Sequence, residues 1–250
     1  MINKKLMKTV AIVPARAGSI RLPGKNTRLL GGIPLIEWAI QAALDSKRIS
    51  QLVVSSDCPQ VLEIGEKYKE SHGVAVLQRP SEISGSDSPA IEYVQHVLSN
   101  LDKQGNRFEC VVIVQATSPF TRGVDIDATI DLFESSRAKC AVSVMKIDQV
   151  IHPRKLKRLT DDRLEPFFLG EEGKVSANEL EDIYVRNGSV YVTDRSLIDA
   201  GKIIDEDCRG YVMPRELSVD INDIHDFLYA EFICRRIRNG ELDFEIQNDS

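Results

Sequence analysis

Short apolar runs alternate with helical patterns over the first two-thirds of the chain. Five runs have the length and apolar character of strands buried on both faces, at 9–13, 51–55, 74–77, 110–114 and 141–144. Apolar residues recur at helical spacing between them, over 35–44, 59–68, 88–98 and 124–133. Strands alternating with helices of about ten or more residues predict βαβ units. We therefore expect an α/β fold with a mostly parallel, doubly wound, Rossmann-like sheet.

The pattern breaks after residue 146, where charged residues and glycine replace the apolar runs until about residue 182. An irregular stretch of this length inside a domain is usually functional, or an arm that contacts a partner. The pattern resumes with a strand at 188–192 and an amphipathic helix at 224–237. The sequence thus predicts one domain over 1–250 with an arm inserted at 147–182.

Composition excludes several classes of protein. The 250 residues contain 42% apolar residues and carry a net charge of −6, which argues against a disordered chain and against a nucleic-acid-binding surface. No apolar run approaches the roughly 18–20 residues of a membrane span, and the basic N-terminus is not followed by a signal sequence. Five widely spaced cysteines without a CxxC pattern favour reduced thiols and a cytoplasmic location.

The first predicted strand is followed by a basic, glycine-containing loop at 14–26. Three cations, Arg16, Arg21 and Lys25, flank small residues that expose backbone N–H groups, a combination that suits a polyphosphate. The loop lacks both GxGxxG and GxxxxGK[ST], so a dinucleotide site or a Walker loop is disfavoured. A solvated basic loop is the alternative. A phosphate site would require a locally positive cleft on an acidic chain.

Residues 13–26, VPARAGSIRLPGKN, resemble the N-terminal signature of the acylneuraminate cytidylyltransferases, the family of the CMP-sialic acid synthetases and their relatives. Further segments match in the same order: LLGGIPLI at 29–36, VVSSD at 53–57, RP and DS within 79–88, VQATSP at 114–119, YVRNGSVY at 184–191 and SVDIN at 218–222.

The resemblance implies a nucleotidyltransferase fold and a Mg²⁺-dependent reaction of CTP with a nonulosonic acid, giving the CMP-sugar and pyrophosphate. It also implies a homodimer in which the arm at 147–182 reaches the partner's site. An eight-carbon keto acid, Kdo, is an alternative substrate. A catalytically weakened nucleotide-sugar binding protein is an alternative of another class. A nicotinamide-dependent enzyme is disfavoured because the chain lacks the glycine fingerprint of that class.

The resemblance also implies roles for individual residues. It predicts that the catalytic residues are Arg16, Lys25 and Asp220. It predicts that the nucleotide contacts Ala15, Arg16, Ser19, Arg21, Lys25, Asn26, Arg79 and Gln115. It predicts that the sugar contacts Gln115, Lys155, Arg186 and Asn187, and that Asp220 and Asn222 bind Mg²⁺. Less specific roles compete: Asp220 as the cap of the last helix, Arg79 in a surface ion pair, and Gln115 as a hydrogen-bonding group at a strand end.

The chain departs from the family pattern at three points. Ile20 stands where the family usually has lysine, and Arg21 is a candidate replacement for that cation. Asn222 stands where the family has a second aspartate, and its neutral amide oxygen can still ligate Mg²⁺. Ala177 lies in the stretch where sialic acid synthetases have a carboxylate-binding arginine. This last departure leaves room for legionaminic or pseudaminic acid, with Lys155 as a candidate for the sugar carboxylate.

Overall fold

The structure is a computed structural model that describes residues 7–168 and 180–242. These residues form the strands β1 (Thr9–Ala15), β2 (Leu29–Leu30), β3 (Ile33–Pro34), β4 (Gln51–Ser56), β5 (Ala75–Gln78), β6 (Cys110–Val114), β7 (Cys140–Lys146), β8 (Lys157–Thr160), β9 (Arg163–Pro166), β10 (Tyr184–Asp194) and β11 (Cys208–Val212). The helices are α1 (Leu35–Asp45), α2 (Pro59–Glu66), α3 (Lys69–His72), α4 (Ala90–Lys103), α5 (Gly123–Ser136), α6 (Arg195–Asp199) and α7 (Ile224–Arg238).

A seven-stranded sheet forms the centre of the molecule, in the order β11-β7-β10-β6-β1-β4-β5. Pairing is parallel throughout except at β10, which runs antiparallel to β6 and β7. Every residue of β1 and of β6 is buried, as expected for continuous apolar strands covered on both faces. The predicted mostly parallel α/β sheet is confirmed.

Helices cover both faces of this sheet. One face packs under α1, α2 and α5 through buried residues that include Ile40, Val61 and Ile130. The other face packs under α4 and α6, with Val94 and Ile198 among the buried contacts. This arrangement on both faces is the doubly wound architecture. The last helix, α7, closes a third apolar cluster beside the first loop.

Some elements differ from the sequence pattern. Strand β10 is longer than the predicted 188–192, and its register with β7 shifts between Arg186 and Tyr191. Strand β11 is absent from the apolar pattern because Arg209 and Gly210 interrupt it, yet it pairs with β7 along its whole length. Gly210 is suited to this position because a Cβ there would lie 3.3 Å from the Val144 side chain.

The first part of the predicted arm is a β-hairpin rather than irregular chain. Strands β8 and β9 pair in the register Leu159↔Leu164. The turn between them uses Asp161 and Asp162, both with positive φ, and aspartate tolerates this left-handed conformation better than most residues. Residues 169–179 of the predicted arm, which include Ala177, lie outside the described residues.

No helix within residues 7–168 or 180–242 is long and apolar enough to span a membrane.

Candidate active site

The candidate functional residues gather at the carboxyl edge of the parallel strands. The basic loop follows β1, the loop with Arg79 follows β5, and the loop with Gln115 follows β6. Because β10 runs in the opposite direction, its first residues, Arg186 and Asn187, reach this same edge. In open α/β sheets, ligands bind outside this edge, where neighbouring loops diverge.

A cleft of about 440 Å³ opens at this edge beside β1. Its lining contains all eight residues predicted to bind the nucleotide: Ala15, Arg16, Ser19, Arg21, Lys25, Asn26, Arg79 and Gln115. Asn222, from the segment before α7, also lines it. The motifs are distant in sequence, so their convergence on one cleft supports a single binding site built from all of them.

The charge of this cleft is opposite to that of the chain. Four cations line it, Arg16, Arg21, Lys25 and Arg79, and its described lining contains no aspartate or glutamate. The chain as a whole carries −6. A cluster of cations with low-dielectric walls attracts an anion even when the net charge of the protein is negative. These lining residues are consistent with the positive cleft expected from the basic loop, whose potential stays a prediction.

Hydrogen bonds near both ends of the basic loop fix its conformation. Arg16 donates through Nη1 to the carbonyl of Gly85 at 3.0 Å, which links the loops after β1 and β5. Asn26 is buried and donates through Nδ2 to the carbonyl of Arg16 at 3.0 Å. The N–H of Ala17 donates to Oδ1 of Asp57 at 2.8 Å. Asn26 therefore shapes the loop, and the tip is left open to the cleft.

Lys25 is a half-buried cation at the end of this loop. Its Nζ donates to the carbonyl of Ile221 at 2.7 Å, which ties the loop to the segment before α7. Burial lowers the pKa of Lys25, and nearby Asp220 partly opposes that effect. The ammonium has further donors after this bond. These donors can meet phosphate oxygens in the cleft.

The far end of the cleft is formed by Arg79, Tyr93 and Gln115. Arg79 is buried, and its Nη2 donates to the carbonyl of Ser55 at 3.0 Å. Its guanidinium lies over the Tyr93 ring, 4.5 Å from the ring centroid. This environment excludes the alternative of a surface ion pair for Arg79. A rigid guanidinium beside an amide has the donors and acceptors needed to bind the edge of a nucleobase.

Asp220 and Asn222 form a short polar chain with Arg21. Asn222 donates through Nδ2 to Oδ2 of Asp220 at 2.9 Å and accepts at Oδ1 from Nη2 of Arg21, also at 2.9 Å. The orientation of the amide follows from chemistry, because arginine only donates and carboxylate only accepts. The cap of α7 is Asp223, which accepts from the N–H groups of His225 and Asp226. The alternative role of Asp220 as the helix cap is therefore excluded.

A second cleft, of about 350 Å³, is lined by Asp220, whose hydrogen bond to Asn222 connects it to the lining of the first cleft. Its lining includes Arg186, Asn187, Tyr191 and Ser218. Gly188 contributes a close approach, because a Cβ on it would lie 3.5 Å from the Asp220 carboxylate. Together the two clefts can hold two ligands on either side of the Asp220–Asn222 hydrogen bond.

Both the oxygen and the nitrogen of the Asn187 side-chain amide form hydrogen bonds within the protein. Its Oδ1 accepts from Ser143 Oγ at 2.7 Å and from the N–H of Ser189, and its Nδ2 contacts Ser218 Oγ at 2.9 Å and Met213 Sδ. An amide has two donor hydrogens and two acceptor lone pairs. This arrangement favours a scaffolding role for Asn187 over the predicted direct contact with a sugar, and leaves Arg186 as the charged group of the second cleft.

Lys155 is the predicted site residue that the described chain does not bring to either cleft. It lies in a helical turn at Pro153–Lys155, just before the β8–β9 hairpin. Four hydrophilic lining residues of the first cleft were not among the predicted site residues: Tyr93, Ser86, Ser88 and Thr117, the last two of which lie within the quoted motifs. The sequence pattern did not identify Tyr93 as a site residue, because Tyr93 lies on the apolar stripe of α4, where an aromatic residue is typical of a core.

The carboxylates at this edge limit what metal site the protein alone can form. Among the described residues, no group of three His, Cys, Asp or Glu side chains is positioned to hold a metal ion. The Oδ1 atom of Asn222 already accepts from Arg21. Mg²⁺ is commonly bound by one or two carboxylates together with substrate phosphates. The residues present fit that mode, with Asp220 as the protein ligand.

The fold and the cationic cleft define an α/β protein with a site whose chemistry suits a nucleotide or a similar polyphosphate. The chain belongs to the cytidylyltransferase family, whose model matches residues 10–198. The resemblance predicted from the motifs is thereby confirmed.

Curated relatives with specific names cover most of the chain. An N-acylneuraminate cytidylyltransferase of Escherichia coli is 30% identical over 241 residues, 94% of this chain and 54% of the relative. A CMP-N,N'-diacetyllegionaminic acid synthase of Legionella pneumophila is 31% identical over 228 residues, 90% of this chain and 95% of the relative. The chain thus spans about half the length of the first relative and nearly all of the second.

A solved structure shares the fold. A CMP-2-keto-3-deoxy-manno-octonic acid synthetase in complex with CTP superposes with a TM-score of 0.66 at 15% identity, over 94% of this chain and 100% of that one.

Proposed function

We propose that this protein transfers the cytidylyl group of CTP to a nonulosonic acid, releasing pyrophosphate. The single observation that carries the proposal is the pair of adjoining clefts, one cationic and the other lined by Arg186, which meet at the Asp220–Asn222 hydrogen bond. Two relatives are named for reactions of this type, on acylneuraminate and on diacetyllegionaminate. The reaction needs two anionic substrates side by side, which matches the two clefts.

The nucleotide would bind in the first cleft. Its triphosphate would meet Arg16, Arg21 and Lys25, and its base would lie against Arg79 and Gln115. Phosphoryl transfer is mostly a matter of position and charge, because the developing charge lies on phosphate oxygens. Three cations and the exposed N–H groups of the basic loop supply that neutralisation.

The sugar acid would bind in the second cleft, with its carboxylate at Arg186. The anomeric hydroxyl oxygen then attacks the α-phosphorus, while the bond from that phosphorus to the pyrophosphate oxygen breaks. The hydroxyl proton is released to solvent water as the new bond forms. Asp220 lies at the junction of the clefts, where it can orient that hydroxyl.

We further propose Mg²⁺ as the cofactor. Asp220, together with phosphate oxygens of the nucleotide, would hold the ion. When bound, Mg²⁺ supplies additional neutralisation of the phosphate charge. Asn222 would act beside this site by fixing the Asp220 carboxylate, rather than as the predicted second ligand.

We also propose a homodimer formed through the arm. Nine of the exposed large apolar side chains lie on the arm or beside it: Val150, Ile151, Leu156, Leu159, Leu164, Phe167, Phe168, Tyr184 and Val185. Exposed apolar side chains concentrated in one segment are typical of a protein interface. A second copy would bring Lys155 near a partner's cleft. We expect the enzyme to work in the cytoplasm, where thiols stay reduced.

Pyrophosphate release tests the proposal. The purified protein is incubated with CTP, Mg²⁺ and, in turn, N-acetylneuraminic, legionaminic, pseudaminic and eight-carbon keto acids. We expect release with at least one nine-carbon acid and its loss in Asp220→Asn. Release with the eight-carbon acid alone would change the substrate class. CTP binding without release from any acid would favour a binding protein instead.

A further inference from the structure

The proposed function leaves one polar group of the first cleft without a role, the hydroxyl of Tyr93. The residue lines the cleft and is only 7% exposed. Within the described chain, no group meets the geometry of a hydrogen bond to this hydroxyl. A buried hydroxyl without a partner is unfavourable, and native proteins keep few of them. Its retention therefore suggests a partner that is recruited when the cleft is filled.

Two of the base-binding groups proposed above adjoin Tyr93. The guanidinium of Arg79 lies 4.5 Å from its ring centroid. Burial raises the pKa of Tyr93, while the charge of Arg79 and the Gln115 amide, acting as a donor toward the phenol oxygen, partly offset that rise. The phenol therefore stays protonated at neutral pH and is available as a donor.

Gln115 is a suitable acceptor for this donor. Its backbone is held at both ends, because its N–H donates to the carbonyl of Ser189 at 3.0 Å and its carbonyl accepts from Ser118 at 3.2 Å. The side-chain amide retains a choice between two orientations. It can face a base either with its oxygen or with its NH₂ group. This choice decides which pyrimidine the cleft prefers.

We propose that the Tyr93 hydroxyl donates to Oε1 of Gln115 when a nucleotide is bound and so holds the amide NH₂ toward the base. Cytosine offers acceptors at O2 and N3, whereas uracil carries an N–H donor at position 3. An NH₂ group held toward position 3 of the base pairs with N3 of cytosine and opposes the N3–H of uracil, whereas the O2 acceptor common to both bases would not distinguish them. Tyr93 is thus a positioning residue that sets the preference for CTP over UTP through Gln115. The inference rests on the proposed cytidylyltransfer.

Tyr93→Phe tests this role, because it keeps the ring under Arg79 and removes only the hydroxyl. The readouts are the KM for CTP and the inhibition constant of UTP as a competitor. We expect the ratio of the UTP constant to the CTP constant to fall about tenfold, the effect of losing one oriented hydrogen bond. Tyr211→Phe is the matched control, since its hydroxyl contacts Asp125 away from the cleft. The control ratio should stay unchanged.

A second variant, Gln115→Ala, distinguishes a role of Tyr93 in positioning Gln115 from a general structural effect of the substitution. Gln115→Ala should lower the ratio on its own, and adding Tyr93→Phe to it should change the ratio no further. A change of less than about threefold in the Tyr93→Phe ratio, or a further change in the Gln115→Ala background, would overturn the inference. A wild-type protein that releases no pyrophosphate with any acid would refute the proposed function instead. Calorimetric titration with CTP and UTP would still compare the binding ratios in that case.

Discussion

At the scale of single residues, the departures from the family pattern form a connected set. Asn222 can donate to Asp220 and accept from Arg21 at the same time, which an aspartate at this position could not do. A second carboxylate this close to Asp220 would instead repel it. The neutral side chain of Asn222 is therefore compatible with its contact to Arg21. Arg21 follows Ile20, the residue that stands at the position of the usual lysine, and its side chain reaches the segment before α7.

Arg21→Ala should weaken CTP binding. The guanidinium lines the cationic cleft and is held there by Asn222. Losing one charge-assisted contact to phosphate corresponds to roughly a tenfold rise in KM for CTP. Steady-state kinetics of pyrophosphate release measures it. Arg107→Ala, an exposed arginine paired with Asp199, is the control and should leave the KM unchanged. An unchanged KM in Arg21→Ala would exclude Arg21 from the phosphate site.

Gly188→Ala should lower kcat, whereas its loss of unfolding free energy should match that of Gly201→Ala. Gly188 has φ +77°, and a Cβ on it would lie 3.5 Å from the Asp220 carboxylate, whereas Gly201 has φ +80° and open space around it. Both substitutions should cost about 1 kcal/mol of unfolding free energy, because both force alanine into the left-handed region. Only Gly188→Ala places a methyl group in van der Waals contact with the Asp220 carboxylate, so only it should lower kcat. Urea unfolding and turnover measure the two effects, and equal loss of kcat in both variants would contradict the role of this contact.

At the scale of elements, the reversed direction of β10 is what joins the two clefts. A parallel strand would send residues 184–187 to the opposite edge of the sheet, away from the loops after β1 and β6. The buried amide of Asn187 holds the turn of β10 against β7 through Ser143, and against the segment before α7 through Ser218. Helices on both faces keep this edge in position.

The contact between α4 and α6 should weaken at low pH.

Asp102 links α4 to α6 and should make stability depend on pH. Two Arg195 nitrogens donate to its carboxylate, and this hydrogen bonding lowers the pKa of Asp102. The stabilisation is therefore present above the ordinary pKa of an aspartate, about 3.9, and is lost as the pH falls through the lower folded pKa. Solvent screening keeps the effect small, since the side chain is 31% exposed.

The comparison of two variants isolates this effect. Asp102→Asn should lower the melting temperature at pH 7 and make its decline below about pH 4 shallower than in the wild type, because the variant lacks the carboxylate that is protonated there. Glu63→Gln, on α2 and away from this contact, is the control and should follow the wild type. A decline in Asp102→Asn that is as steep as in the wild type, or steeper, would contradict the assignment.

At the scale of the whole molecule, charge and apolar surface are unevenly distributed. The cleft concentrates four cations although the chain is acidic. The hairpin β8–β9 exposes Leu159 and Leu164, which are 66% and 69% exposed and face each other across the strands. The opposite face of the hairpin carries the pair Arg158 and Glu165. One face of the hairpin is therefore suited to burial against another chain.

Replacing both leucines with serine, Leu159→Ser with Leu164→Ser, should weaken the proposed dimer. Burying apolar surface contributes about 25 cal/mol per Å², and two leucines account for several kcal/mol at an interface. Light scattering after size-exclusion chromatography should report a monomer at micromolar concentration. Arg158→Ser with Glu165→Ser changes the opposite face while keeping the net charge, and this variant should remain dimeric. A wild-type monomer would refute the dimer itself.

How much could be predicted from the sequence depended on where the signal lay. The loop with Arg16, Arg21 and Lys25 was predictable because its charges and small residues are contiguous. Strand β11 was not, because sheet pairing with β7 supports it despite Arg209 and Gly210. Tyr93 could not be distinguished from a core residue, since it shares the apolar stripe of α4 with Val94 and Val97.

The sequence by itself determined the α/β class, the strand and helix alternation, and the chemistry of the nucleotide cleft. Local periodicity and short motifs carry that information, because each depends on neighbouring residues. Only the tertiary structure decided that the amide of Asn187 serves the scaffold, that Asp223 rather than Asp220 caps α7, and that Asn222 connects Arg21 to Asp220. The reason is physical: the partners of a polar side chain are distant in sequence and are set by how the elements pack.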